Sequence, residues 1–272
     1  MIRRVLGAVA DGCLKFQTLL FPITAWMPRF YRVQTLLNWQ AKHTLDASCG
    51  TGELTVWMAK RGLPVAGTNI SEHEIEVSKN LAKQSGLNID FQVGDLSTQT
   101  PYKDGAFDQI VSLDTVVHIP DDNAVFKEFH RLLTSKGRLL VSLASIAPSG
   151  RGRLFKGETL LRKIIPRFLH TAPVWEGKTW LQLTSQEQQD RFFQCRFYNA
   201  EDLEAQISDH FTLVHHEYAL HRFTVWATDL IFGIRLFRYF EPTLFTLAAR
   251  LDRLFYSPKR RGYLLFAILE KK

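Results

Sequence analysis

The chain has 272 residues, 46% of them hydrophobic and 22% charged, with a net charge of +7. That balance is ordinary for a globular protein with a full core, built as one large α/β domain or two smaller ones. Its three scattered cysteines, Cys13, Cys49 and Cys195, argue against a disulfide framework and a C-x-x-C metal site, and point to a reducing, cytoplasmic setting.

Residues 1–43 read as helical, divided by Pro22 and Pro28. Val5 to Ala10 is too short for the apolar region of a secretory signal, and Asp11 interrupts it. From Thr44 onward strand and helix alternate. Strands are predicted at 44–47, 64–70, 89–93, 107–113 and 138–145, the last entered through Lys136-Gly137. Helices are predicted at 53–61, 72–85 and 122–133. Ser71 with Glu74 three residues on has capping-box spacing, and Gly86 reads as the residue that ends the second of these helices. The first, fourth and fifth strands are nearly continuous apolar runs, as strands buried on both faces require. The alternation predicts an α/β fold with a mostly parallel sheet and helices on both faces.

After residue 145 the regularity lapses, and 146–198 holds Pro148, Gly150, Gly152, Pro166 and Pro173. A short helix at 199–208, a strand at 211–218, one or two helices with large apolar faces at 223–257 and a closing strand at 262–269 follow. The organisation is then a helical extension (1–43), a core (44–145), and a covering insertion with the closing strands of the same domain (146–272). Within 223–249 the apolar run is broken by Asp229, Arg235, Arg238 and Glu241, so no membrane span is expected. Basic residues cluster near both ends, among them Arg3, Arg4, Arg29 and Arg32, then Arg250, Arg253, Lys259, Arg260 and Arg261. Such clusters suit solvated helix faces, an anionic membrane surface or nucleic acid.

The richest motif is Leu45-Asp46-Ala47-Ser48-Cys49-Gly50-Thr51-Gly52. An apolar-to-acidic strand breaks into two glycines and runs at once into an amphipathic segment. A turn of this kind lets backbone approach a nucleoside-bearing ligand, because glycine has no Cβ and accepts φ > 0. The helix beyond it offers unpaired N–H groups. No third glycine completes the dinucleotide pattern Gly-x-Gly-x-x-Gly. A tight turn without a ligand would look the same. Cys49 reads as a small packing residue of the turn and not as a nucleophile.

Acidic-x-Ser-x-Gly-x-Gly resembles motif I of the class I S-adenosylmethionine (SAM)-dependent methyltransferases, in which the serine position is usually glycine. The blocks Gly67-Thr68-Asn69-Ile70-Ser71, Gly94-Asp95-Leu96, Phe107 to Ser112 and Val117-His118-Ile119-Pro120-Asp121 follow in that family's order. The resemblance is closest over 44–145. It is greatest to the small-molecule enzymes typified by ubiquinone/menaquinone C-methyltransferases and the type 11 methyltransferase domain. It implies a seven-strand Rossmann-like sheet whose last two strands form an antiparallel edge pair, with SAM as cofactor and no metal.

Residue by residue, the resemblance implies that Asp46 orders the glycine loop near the ligand's amino group, and that Gly50 and Gly52 make room for its methionine part and sugar. Ser48 is a departure whose position is read as not requiring φ > 0. Asn69 stands where the family places an acid on the ribose hydroxyls; its amide has a single acceptor oxygen, so weaker binding is expected. Ile70 is implied to pack on the adenine and Asp95 to accept from the adenine amino group. Leu96 offers a backbone N–H there, and Leu113 borders the pocket. Asp95 can equally stabilise its own turn. His118, beyond the fourth strand, is the candidate base for an acceptor hydroxyl, phenol or enol, or a loop histidine of the pocket wall. Asp114 reads as a solvated carboxylate at a strand end in preference to a group that orients a substrate or water, and His215-His216 as surface or edge packing.

The aromatic-rich segments outside the sheet, including Trp26, Trp39, Trp175, Trp180, Phe192, Trp226 and Phe237, suit a lid over a hydrophobic or lipid-like acceptor, or simply the core of helical extensions. The leading expectation is methyl transfer to oxygen, carbon or nitrogen of such an acceptor, in the cytoplasm, with peripheral contact at the inner face of an anionic membrane. A non-catalytic binding protein on the same fold is the alternative that Asn69 and Ser48 keep open. A nucleic-acid methyltransferase is disfavoured, because no Asn/Asp-Pro-Pro-Tyr/Phe motif follows the fourth strand.

Overall fold

The computed structural model describes residues 28–145, 174–175, 178–179, 196–221, 223–224, 227 and 241–272. Helix α1 (Pro28–Leu36) is followed by β1 (Thr44–Ala47), α2 (Glu53–Ala59), β2 (Val65–Asn69), α3 (Glu72–Gln84) and β3 (Phe91–Val93). Next come β4 (Phe107–Leu113), a single 3-10 turn (Val116–His118), α4 (Asp122–Leu132) and β5 (Leu133–Ala144). A two-stranded antiparallel ribbon, β6 (Val174–Trp175) with β7 (Lys178–Thr179), precedes α5 (Ala200–Ile207), β8 (Phe211–Ala219), α6 (Glu241–Phe255) and β9 (Leu264–Lys271). Most of the segments expected to form a lid lie outside the described residues.

Seven strands form one sheet in the order β3-β2-β1-β4-β5-β9-β8. The pairs β3-β2, β2-β1, β1-β4 and β4-β5 are parallel, and β9 runs antiparallel to β5. This is the Rossmann-like α/β sheet expected from the sequence. The register sets Asp46 beside Gly67 on one side and Val111 on the other. Because β1 to β4 are parallel, their carboxyl ends share one edge, where ligands of open α/β sheets bind.

The chain divides into two compact units, Leu36–Ala147 with Gln194–Tyr218 and Arg261–Lys272, and Met1–Thr35 with Pro148–Phe193 and Ala219–Arg260. In the sheet unit, Leu139, Val141 and Leu143 of β5 and Leu265, Ala267 and Leu269 of β9 meet Phe126, Phe129 and Leu132 of α4 and Leu203 and Ile207 of α5. The alternate residues Leu140 and Phe266 are buried as well, so the sheet is covered on both faces. A second cluster joins Cys49, Val56, Ile75, Ala82 and Phe91 under α3. In the other unit, Asp252 of α6 is buried and accepts hydrogen bonds from the backbone N–H groups of His221, Phe223 and Thr224 and from the Thr224 hydroxyl.

The fifth strand begins earlier than the apolar run suggests. Leu133, directly after α4, already pairs with Phe107; a bulge intervenes, and pairing resumes at Gln109 with Arg138. Lys136 takes φ 66° in that bulge. Pairing of a fully buried leucine overrides the turn signal that Lys136-Gly137 carries.

Candidate functional site

Three residues of the turn after β1 adopt positive φ: Ser48 at 65°, Gly50 at 54° and Gly52 at 81°. The expectation for Ser48 is therefore corrected, since its position does require the left-handed region. The reason is the tightness of the turn, in which the Cys49 N–H already bonds the Thr68 carbonyl at 2.9 Å and the Gly52 N–H bonds the Cys49 carbonyl at 3.0 Å. Gly52 caps α2, and a Cβ there would lie 2.9 Å from both Cβ and Oγ of Ser78. Ser78, fully buried on α3, donates to the Gly50 carbonyl at 2.9 Å and braces the turn from below. A Cβ on Gly50 would meet nothing within 4 Å, so the upper side of the turn faces open space.

Asp46 is 3% exposed, and its Oδ2 accepts from the Thr55 hydroxyl at 2.6 Å. Burial pushes its carboxyl up to about 7, only partly offset by the bonds from Thr55. It therefore links the end of β1 to the first turn of α2. Cys49 is buried, and burial with the nearby Asp46 pushes its thiol up to about 12, as befits a packing residue.

Asn69 ends β2 and is 7% exposed. Its Nδ2 donates to the carboxylate of Glu74. Ser71 caps α3 as expected, with its Oγ accepting from the Glu74 N–H at 3.3 Å. The Glu74 side chain, however, turns to the strand end, so the box is only half formed. The Asn69 carbonyl accepts from the Gly94 N–H at 3.0 Å, which sets the Gly94-Asp95 block beside it. Ile70 stands 67% exposed and Val93 46% exposed, two apolar side chains at the rim of this edge.

Asp95 accepts from the Ser97 N–H at 2.8 Å and the Ser97 hydroxyl at 2.7 Å, both on Oδ1, closing its own turn. Leu96 is buried in the main core and anchors that turn. Leu113 ends β4 half-buried, and Asp114 follows at φ 55°. Asp114 is not simply solvated: its Oδ1 accepts from the Ser142 hydroxyl at 2.8 Å, and its N–H bonds the Ser142 carbonyl at 3.0 Å. His118 closes the 3-10 turn beyond β4 with an exposed imidazole. His215 and His216 are exposed on β8, an edge strand, as expected.

The loop carrying His118 is held by residues that motif reading does not reveal. Buried Asp122 accepts from the Tyr198 hydroxyl and pairs with the Arg196 guanidinium, which also donates to the Pro120 carbonyl. The Arg196 N–H bonds the Val117 carbonyl at 3.0 Å, and the Tyr198 N–H the Ala144 carbonyl at 2.8 Å. Tyr198 lies 76 residues from Asp122 in sequence, so only folding joins them. Ser78 was findable in principle, since Ile75, Ser78 and Ala82 form the buried stripe of α3.

The described site suits an adenosyl ligand. It offers an open-faced turn of positive-φ residues, a polar strand end backed by a carboxylate, and uncovered apolar side chains where a base can lie flat. Among the described residues no cluster of His, Cys, Asp or Glu could hold a metal ion.

Residues 45–141 match the family described as "Methyltransferase domain". Among curated relatives, "Methyltransferase GfsG" of Streptomyces halstedii is 34% identical over 101 residues, 36% of this chain and 36% of that protein. "Ubiquinone biosynthesis O-methyltransferase" of Coxiella burnetii is 36% identical over 115 residues, 42% of this chain and 48% of that protein. The chain thus spans less than half the length of these relatives. Two solved structures share the fold. A SAM-dependent methyltransferase from Methanosarcina mazei has a TM-score of 0.53 at 18% identity, covering 88% of this chain and 96% of its own. The [4+2]-cyclase SpnF has 0.55 at 17%, covering 90% and 81%. Residues 45–141 of this chain thus match a methyltransferase domain, built on the α/β sheet that these solved structures share.

Proposed function

We propose that the chain transfers a methyl group from SAM to an oxygen of a small, hydrophobic or lipid-like acceptor. The observation that carries this reading is the turn Ser48-Cys49-Gly50-Thr51-Gly52, braced from below by Ser78 and open above, at the carboxyl edge of a parallel sheet. In this reading Asp46, Ser48, Gly50 and Gly52 hold the amino-acid and sugar part of the cofactor. Ile70 flanks its adenine, and Asp95, Leu96 and Leu113 complete the wall. The bound cofactor supplies an activated methyl on a positively charged sulfur, so positioning and exclusion of water are the main work left to the chain. His118 takes the proton from the acceptor hydroxyl, and Asp122, Arg196 and Tyr198 keep its loop in place.

The choice of oxygen is supported by the name of the Coxiella burnetii relative. The apolar character of the acceptor is supported by α6, where Leu247, Leu254 and Phe255 are exposed beside exposed Arg250 and Arg253. Such a face suits docking on an anionic membrane surface, and none of the described helices is long and apolar enough to cross one.

The test is calorimetric titration of the protein with SAM and S-adenosylhomocysteine, followed by labelled-methyl transfer to prenylated catechols presented in anionic vesicles. Micromolar binding, transfer to the catechol and recovery of the chain with the vesicles are expected. His118→Ala should bind the cofactor as before and lose about 100-fold in turnover. Cofactor binding without transfer to any acceptor would sink the catalytic reading, a real outcome on a fold that SpnF uses for a cyclase. Transfer to RNA instead would redirect it.

A further inference from the structure

The strand-end residue Asn69 is a poor acceptor for a ribose diol, and the structure places a carboxylate in its hand. We propose that Glu74 supplies the group that binds the ribose hydroxyls of the cofactor, with Asn69 as the residue that positions it. This rests on the reading of the chain as a SAM-binding protein.

Three observations carry it. First, the Asn69 amide spends its donor on Glu74, although the Glu74 side chain has a local alternative. In a complete capping box that carboxylate would return to the Ser71 N–H; here it is drawn out of the helix and toward the end of β2. Second, the backbone of Glu74 is fixed from both directions. Its N–H bonds Ser71 Oγ at 3.3 Å, and its carbonyl accepts from Ser78 Oγ at 2.9 Å, the hydroxyl that also braces the glycine turn. Movement of the turn and of Glu74 are thereby coupled through one side chain. Third, Glu74 is only half-buried, whereas Asn69 is 7% exposed. The carboxylate is the more accessible of the two, and it sits in the first turn of α3, where negative charge is stabilised.

The chemistry follows from the donor inventory. A vicinal diol offers two hydroxyl donors. A carboxylate accepts on both oxygens and has about four lone-pair sites, of which the Asn69 amide takes one. Asn69 alone could accept once. The pair therefore does with two residues what a single acid at the strand end would do. The Asn69 amide holds Glu74 without adding a second negative charge, so an aspartate at position 69 would repel the carboxylate it faces.

The experiment is titration of the wild type, Glu74→Gln, Asn69→Asp and the double variant with S-adenosylhomocysteine and with its analogue lacking both ribose hydroxyls. Glu74→Gln should weaken S-adenosylhomocysteine about tenfold, the scale of a charge-assisted hydrogen bond. It should leave the dideoxy analogue unchanged, a selectivity that a structural defect would not produce. Asn69→Asp alone should gain nothing, and the double variant should return to within about threefold of wild type, because one carboxylate is restored without a neighbour. Unchanged affinity of Glu74→Gln, equal loss for both ligands, or a gain from Asn69→Asp alone would overturn the assignment of Glu74 while leaving the proposed function intact. Failure of the wild type to bind S-adenosylhomocysteine would overturn both.

Discussion

At Ser48 a residue with a Cβ occupies φ 65°, where non-glycine residues pay steric strain of about 1–2 kcal/mol. Ser48→Gly removes that strain and adds back some unfolded-state entropy, so a net gain of about 0.5 kcal/mol is expected. A higher urea midpoint at unchanged slope would show it; a lower midpoint would mean that the serine hydroxyl contributes to the turn. The neighbouring glycines differ from one another. Gly52 combines φ 81° with Ser78 at 2.9 Å from its would-be Cβ, whereas Gly50 has φ 54° and empty space. Gly52 is thus a packing requirement, and Gly50 leaves room on the open face. Of the residues singled out by motif, Asn69 changes most in meaning once its partner is seen. Its amide has few acceptor options, which is plain from its chemistry, but Glu74 as the compensating group is visible only from the bond between them.

Among the elements, α4 does more than cover the sheet. Arg131 near its end donates to Glu128 at 2.7 and 2.8 Å, to the Tyr102 carbonyl at 2.9 Å and to the Thr100 carbonyl at 3.3 Å. Glu128 in turn accepts from the Thr100 N–H at 2.8 Å and its hydroxyl at 2.7 Å. One helix thereby pins the loop from β3 to β4, the loop whose first turn Asp95 closes. Arg131→Met leaves Glu128, 4% exposed, without its cation. A loss of about 2–4 kcal/mol is expected, with the largest rise in hydrogen exchange across 97–105. A rise confined to α4 would show that the loop is held by other contacts. The edge of the sheet is secured similarly, by Arg138 of β5 donating to Glu270 of β9 at 2.7 Å; that exposed pair contributes little by comparison.

For the whole molecule, buried carboxylates pull the pH profile in two directions. At Glu128, burial alone would raise the carboxyl, but bonds from Arg131 and Thr100 hold it below its ordinary value. At Asp122, burial is likewise outweighed, by bonds from Arg196, Tyr198 and Gln206. A depressed acid stabilises the fold above its unfolded pKa, and that contribution is lost as pH falls through the folded value, below about 4.5 for glutamate. Asp46 is the opposite case. Its folded carboxyl, pushed up to about 7 by burial, favours the fold in its protonated form, so its contribution declines as pH rises from 3.8 to about 7. Melting temperatures followed from pH 3 to pH 8, a range of ~5 units spanning these values, should show a shallower acid limb in Glu128→Gln. Asp46→Asn should lose the decline toward neutrality. Identical profiles for wild type and Asp46→Asn would mean that Asp46 titrates in its ordinary range.

Periodicity and punctuation were enough for the α/β class. Strands β1 and β4 fall where their apolar runs end, and α3 starts at Ser71 and stops before Gly86, because these signals are local: burial on both faces, a cap and a left-handed stop. Element ends elsewhere differ by a few residues, and β5 by more, since strand pairing with Phe107 decides where it begins. The motif positions Asp46, Asn69 and Asp95 were legible through the resemblance that their blocks carry. Ser48's strain, the bracing of the turn by Ser78, the diversion of Glu74 to Asn69 and the Asp122-Arg196-Tyr198 clamp around His118 were not. The sequence by itself determined the order of strands and helices and the tight glycine turn after β1, because those follow from residue type and short-range spacing. The tertiary structure decided which polar groups meet at the site, because hydrogen-bond partners and positive φ depend on distances that only packing sets.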